Sequence, residues 1–170
     1  MSRREERERE FEEFAVARTP GLYRSAVMLC GNSHLAEDLV QETLAKVYVK
    51  WRQPLGRIEN PAAYAHTVLT RTFISHRRRR GTGAEILSAE LPEAASEDAM
   101  SAATTRLVLG QALDGLSRID RAVVVLRYLE DLSVDETAGR LDISPGAVKN
   151  RSMRALQRLR DVVTTNNEGE

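Results

Sequence analysis

The side chains best placed to do chemistry in this 170-residue chain lie near its end. Lys149, Asn150, Arg151, Arg154, Arg158 and Arg160 fall within a stretch, Ser144 to Arg160, that contains no acidic residue. Guanidinium and ammonium groups neutralise phosphates, and Arg, Lys and Asn read purine edges in the major groove. A second constellation is Asp38, Gln41 and Glu42, whose i, i+3, i+4 spacing gathers them on one helix face. By spacing alone it serves equally well as a binding site or a solvated acidic patch. The third is His76 followed by Arg77, Arg78, Arg79 and Arg80. Four consecutive arginines point all round a helix, so they cannot belong to one core face. They suit phosphate contact, the plainer reading being a basic helix end that matches the dipole. Catalysis is not indicated, because no nucleophile–base pair or Gly-rich phosphate loop is present. The three histidines have no metal-ligand spacing, and Cys30, the single cysteine, reads as a buried structural thiol. The expectation is a binding protein with no cofactor and no metal, not an enzyme.

The elements that must position these groups are helices. Ser133 and Glu136 form a capping box for a short helix carrying Val134, Thr137, Ala138 and Leu141. Asp142 sits where the chain must turn, since Asp tolerates the left-handed region, and Ile143 can plug the space between the helices. Ser144 caps the next helix, with Pro145 at its first position, followed by Gly146 and Ala147. Val148, Ser152, Ala155, Leu156 and Leu159 form its inward stripe. A helix–turn–helix of this kind presents its second helix to the DNA major groove.

Upstream, residues 2–10 alternate Arg and Glu and either extend a helix or fray. Phe11, Phe14 and Ala15 begin a buried stripe that Thr19-Pro20-Gly21 is expected to interrupt. Leu22 to Leu29 resumes it, and Gly31-Asn32-Ser33 ends it. Ser33 is expected to cap the following helix, Leu35 to Arg52, whose core face is Leu35, Leu39, Val40, Leu44, Val47, Tyr48 and Trp51. Asn60-Pro61 starts another helix, extending to about Arg80. On it Tyr64, His66, Thr67 and Arg71 offer stacking or hydrogen bonds to unpaired bases. Later, Leu107, Leu109, Ala112, Leu113 and Leu116, then Ile119, Val123, Val124, Leu126 and Leu129, supply a second helical core, with Ser117 and Asp120 capping.

Formal net charge is zero, yet its distribution is uneven. Residues 1–80 carry 15 basic and 10 acidic side chains, residues 81–100 carry 5 acidic and no basic ones, and residues 101–170 carry 10 of each. Such segregation suits a nucleic-acid binder with an acidic linker. No apolar run approaches the ~20 residues of a membrane span, and the charged N-terminal residues lead into no signal core, so a cytoplasmic location is expected. The fold expected is all-α: a helical bundle over residues 1–80, an acidic linker over 81–100, a helix–turn–helix bundle over 101–164 and a disordered tail over 165–170.

At this point the chain resembles the extracytoplasmic-function (ECF) group of bacterial RNA polymerase sigma factors, over about Glu10 to Arg160. Leu35 to Tyr48 is similar to the acid-rich helix of sigma region 2 that docks on the clamp helices of the polymerase β′ subunit. That likeness implies core polymerase contact by Asp38, Gln41 and Glu42. Asn60 through Arg80 resembles the loop and helix that melt and read the −10 element, implying roles for Asn60, Tyr64, Thr67, Arg71, Arg77 and Arg78. Ser144 to Arg151 is similar to the region 4 helix that reads the −35 element. The resemblance assigns Ser144, Pro145, Gly146, Ala147, Lys149, Asn150, Arg151 and Arg154 to it. The implied partners are core RNA polymerase (β′ clamp helices and β flap), promoter DNA and an anti-sigma factor. The chain departs from the family at Arg71, where many members carry an Asn that helps form a pocket for a flipped base, and at Ser75, where Asp is common. Asp142 replaces a turn Gly and Thr137 an aliphatic residue. From the residues alone, a stand-alone helix–turn–helix regulator and a protein using its basic patches on RNA or an acidic partner remain as alternatives.

Overall fold

The computed structural model describes residues 2–76 and 108–168. All regular structure among them is helical. The chain divides into two compact units, Met1–Arg77 and Arg78–Glu170. The acidic stretch 81–100, Leu107 and the block Arg77 to Arg80 lie outside the described residues.

Unit 1 is a three-helix bundle in which each helix packs on the other two. Helix α1 (Arg3–Cys30) starts at a capping box: Ser2 Oγ accepts from the Glu5 N–H, and the Ser2 N–H donates to the Glu5 carboxylate at 2.7 Å. The alternating charges therefore continue the helix, aided by an Arg4–Glu8 pair at 3.1 Å. The expected break at Thr19-Pro20-Gly21 does not occur, because α1 runs unbroken through Pro20. Proline removes the bond to the carbonyl four residues back. Here that carbonyl belongs to Val16, whose side chain is exposed, while Thr19 Oγ donates to the Ala15 carbonyl at 2.7 Å. Packing of half-buried Phe14 on one side and of buried Leu22 on the other keeps the flanking turns in register. Gly31 ends α1 at φ 68°, its N–H bonding to the Val27 carbonyl; this is a conformation that glycine adopts without steric penalty.

Helix α2 (Ser33–Trp51) is capped by Asn32, not by Ser33, with Asn32 Oδ1 accepting from the Leu35 N–H at 2.9 Å. Asn is at least as good a cap as Ser, and the extended conformation falls on Asn32. Helix α3 (Pro61–Ser75) is capped by Asn60 with Pro61 in the first turn, as expected, and stops at Ser75 with His76 extended. Leu22, Ala26 and Leu29 of α1, Ala36, Leu39, Val40 and Val47 of α2, and Ala65, Leu69 and Phe73 of α3 form the buried core. Phe11 lies 4.9 Å from the Tyr48 ring and Phe14 lies 5.2 Å from Trp51, fastening the first half of α1 to the end of α2.

Unit 2 comprises α4 (described over 108–114), α5 (Arg118–Val124), a π-helical turn over Val125–Leu129, α6 (Val134–Leu141) and α7 (Pro145–Asn167). Ser117 caps α5, with its hydroxyl accepting from the Asp120 N–H. Leu113, Leu116, Val124 and Ala155 form one buried cluster with Leu159 packed against it. Leu109 and Leu129, expected in this core, are exposed. The π turn explains Leu129: its wider i→i−5 bonding, seen from Glu130 N–H to the Val125 carbonyl, shifts the buried face by one residue. Ala122, Val123, Val124, Val125 and Leu126 are consecutively buried in consequence.

The α6–α7 pair matches its capping signals. Ser133 and Glu136 close a capping box, Asp142 takes φ 55°, and Ser144 caps α7. The Ile143 N–H bonds to the Ala138 carbonyl at 3.1 Å, so the turn is tied to α6. Helix α7 continues past residue 164 to Asn167, where a disordered tail was expected; Thr164 and Thr165 donate from their hydroxyls to the Arg160 and Asp161 carbonyls.

Candidate nucleic-acid and partner interface

On α7 the structure separates two populations of side chain. Val148, Ser152 and Ala155 are buried, whereas Lys149, Asn150 and Arg154 are exposed. Pro145 and Gly146 are also exposed, Ala147 is half-buried, and Ser144 Oγ accepts from the Ala147 N–H at 3.1 Å. Met153 was not singled out in the sequence, yet it is 67% exposed on the same face. Its i+3 and i+4 spacing from Asn150 and Lys149 was the available signal. Arg151 behaves differently. Its guanidinium donates to Asp120 Oδ1 of α5 at 2.8 Å, so it already serves the interior of unit 2. The pairing joins residues 31 positions apart, which no local pattern reveals. Five N–H donors on a guanidinium leave Arg151 capacity for an outside acceptor, but its charge is balanced within the unit.

On α2, Asp38 and Gln41 are exposed and Glu42 is half-buried. Glu42 is tethered: Lys46 Nζ lies 3.0 Å from one carboxylate oxygen and His76 Nδ1 lies 3.8 Å from the other. Lys46 Nζ also donates to Thr72 Oγ1 of α3 at 3.1 Å. All three lie on α2, with Glu42 held by Lys46 of the same helix and by His76 just past the end of α3. Lys46 could have been found from its i+4 spacing to Glu42, whereas Thr72 of α3 is a supporting residue the sequence gave no reason to pick.

On α3, Asn60, Tyr64, Thr67 and Arg71 follow i, i+4, i+7, i+11 and share one face. Two of them are already engaged: Asn60 Oδ1 accepts from the Ala63 N–H and Thr67 Oγ1 donates to the Ala63 carbonyl. Tyr64 is half-buried and Arg71 exposed. Arg77 and Arg78 lie outside the described residues. Among the described residues no cluster of His, Cys, Asp and Glu could hold a metal, and no helix is long and apolar enough to cross a membrane.

Residues 6–82 match the family model of sigma-70 region 2, and residues 106–159 match that of sigma-70 region 4. The chain is 37% identical over 152 residues to the RNA polymerase sigma-E factor of Streptomyces coelicolor, covering 89% of this chain and 85% of that protein. The chain belongs to the ECF sigma factors of RNA polymerase. Another relative of this sigma factor is the ECF RNA polymerase sigma factor SigL of Mycobacterium tuberculosis, 35% identical over 145 residues, with 82% of this chain and 80% of that protein covered. Among solved structures, the sigma factor RpoE in complex with the anti-sigma factor NepR from Bartonella quintana matches with a TM-score of 0.67 at 26% identity, covering 91% of this chain and 97% of that one. CnrH, solved in complex with the cytosolic domain of CnrY, matches with a TM-score of 0.63 at 19% identity, a likeness of fold; 93% of this chain and 90% of that one are covered.

Proposed function

We propose that this sigma factor joins core RNA polymerase and selects promoters through two separate readers. The observation that carries the reading is the two-faced α7. A buried stripe fixes its rotation in unit 2, while Lys149, Asn150, Met153 and Arg154 project outward behind a capped N-terminus. A helix so presented inserts its first turns into the major groove, where Arg and Asn contact base edges and Lys contacts phosphate. In unit 1, Asp38 and Gln41 with the tethered Glu42 dock on the β′ clamp helices, and the Asn60–Arg71 face of α3 with Arg77 and Arg78 holds unpaired −10 bases. Unit 2 also meets the β flap. Melting then needs no nucleotide hydrolysis, because binding the open strand more tightly than the duplex is itself the driving force. The domain boundaries proposed are those of the sequence, residues 1–80 and 101–164 with an acidic linker between. An anti-sigma partner is proposed from the likeness to RpoE, which is solved with one. The working compartment is the cytoplasm, where polymerase and chromosome meet.

Transcription with purified core polymerase tests the reading. Addition of this chain should yield transcripts from a subset of genomic fragments, abolished by Asp38→Ala together with Gln41→Ala. Tight sequence-specific operator binding with no polymerase-dependent transcript would replace it with a stand-alone regulator.

A further inference from the structure

Of Asp38, Gln41 and Glu42 on α2, only Glu42 is held by the fold. Asp38 and Gln41 are exposed and make no side-chain bond among the described residues. The Glu42 carboxylate, in contrast, has one oxygen 3.0 Å from Lys46 Nζ and the other 3.8 Å from His76 Nδ1.

An i, i+4 carboxylate–ammonium pair on a half-exposed helix face is ordinarily loose, because both long side chains keep their rotamer freedom in water. This pair has an anchor. Lys46 Nζ also donates to Thr72 Oγ1 of α3 at 3.1 Å, and Thr72 is 2% exposed. One acceptor therefore comes from α2 itself and the other from a buried position on the neighbouring helix. Acceptors on different helices fix the ammonium, and the fixed ammonium holds Glu42 Oε1. His76, which ends α3, flanks Oε2 beyond hydrogen-bond distance, so it bounds the carboxylate without saturating it. An ionised carboxylate offers about four acceptor sites. With its side chain 43% exposed, Glu42 keeps some of them for a cation arriving from solvent.

A partner that binds a freely rotating glutamate must order it, whereas a side chain ordered beforehand spares that cost. The Lys46 charge also repels an incoming cation, but at half exposure water and salt screen that repulsion. Ordering then decides the sign, and Lys46 should strengthen docking.

We propose that Lys46, anchored on Thr72, is a positioning residue of the docking face: it pre-aims the Glu42 carboxylate at a cationic group of core polymerase. It acts through Glu42 and not by a contact of its own. The proposal rests on the reading of Asp38, Gln41 and Glu42 as the surface that meets polymerase.

Capture of purified core polymerase by the full, fluorescently labelled chain at about 0.15 M salt tests it. Lys46→Met should weaken capture roughly three- to tenfold. Glu42→Gln should weaken it too, and Lys46→Met added to Glu42→Gln should cost nothing further. Thr72→Val, at a buried position that no partner reaches, should weaken capture in the same direction, and again only when Glu42 is present. Lys46→Arg, which returns a cationic donor to the same place, should recover most of the loss. Thermal melting separates a folding defect from a docking defect. If Lys46→Met melts below the wild type, Thr72→Val compared in the two backgrounds carries the test. Tighter capture by Lys46→Met would mean that Lys46 masks Glu42, and an equal loss with and without Glu42 would mean a direct contact; either overturns the inference. Capture that ignores Glu42→Gln alone overturns it as well. Capture that also ignores Asp38→Ala with Gln41→Ala overturns the docking reading beneath it.

Discussion

An Arg151→Ala substitution should weaken unit 2 itself before it weakens any contact with DNA. Its guanidinium sits 2.8 Å from Asp120 Oδ1, with side-chain exposures of 31% and 16%. A hydrogen bond to a charged group contributes ~1.5–3 kcal/mol when shielded, and an exposed ion pair ~0.2–1 kcal/mol; partial exposure puts this one near ~1 kcal/mol. In a domain of this size that corresponds to a fall in melting temperature of roughly 4–8 °C. A double-mutant cycle with Asp120→Asn, followed by circular dichroism, should return a coupling energy of about 1 kcal/mol. Because the charge is already balanced by Asp120, the slope of log K against log salt for −35 duplex binding should change by far less than the ~0.9 expected for a lost phosphate contact. Arg154→Ala should do the reverse, lowering the slope by about 0.9 while moving stability by less than ~0.5 kcal/mol. If Arg151→Ala left the melting temperature unchanged and removed a full phosphate contact, the assignment of Arg151 to the fold would be refuted.

Other substitutions check the fold. A Cβ at Gly21 would meet only the Arg24 guanidinium at 3.9 Å, so Gly21→Ala should stabilise unit 1 by ~0.5–1 kcal/mol in urea unfolding. Asp142→Val forces a β-branched residue to φ 55° and should destabilise unit 2 by about 1–2 kcal/mol, whereas Asp142→Gly should be neutral or stabilising. The Glu136 carboxyl is held below the usual glutamate range, chiefly by the Ser133 backbone N–H and then by its hydroxyl. A depressed folded-state pKa gives stability that is present above the ordinary value of ~4.3 and lost as pH falls through the folded one. Glu136→Gln should therefore flatten the acid limb of the unit 2 denaturation midpoint between about pH 5 and pH 3, which titration in urea would reveal.

What could be read from the sequence was what depends on neighbours along the chain. Ser133, Ser144, Ser117 and Asn60 act as caps because their hydroxyl or amide oxygen meets an N–H three residues on. Asp142 was recognisable as a left-handed turn for a similarly local reason. The inward stripe of α7 followed from a period of 3.6 residues. Errors arose where distant packing or an altered period decided. Pro20 signals a break, but packing on both sides of it, by half-buried Phe14 and buried Leu22, holds α1 together. Leu129 fits an α-helical stripe that a π turn displaces. At the candidate sites, the identities of Asp38, Gln41, Lys149 and Arg154 were legible as exposed side chains. The commitments of Arg151 to Asp120 and of Glu42 to His76 were not, since each joins residues brought together only by folding.

The sorting of α7 into a buried and an exposed face bears on how such a protein can change over generations. Lys149, Asn150, Met153 and Arg154 touch little of the interior, so they can be exchanged one at a time with almost no penalty to folding. Insertion of a single residue would instead rotate everything beyond it by roughly 100°, carrying cations inward and Ser152 and Ala155 outward. New target preferences are therefore open to point substitution in this helix and closed to changes of its length.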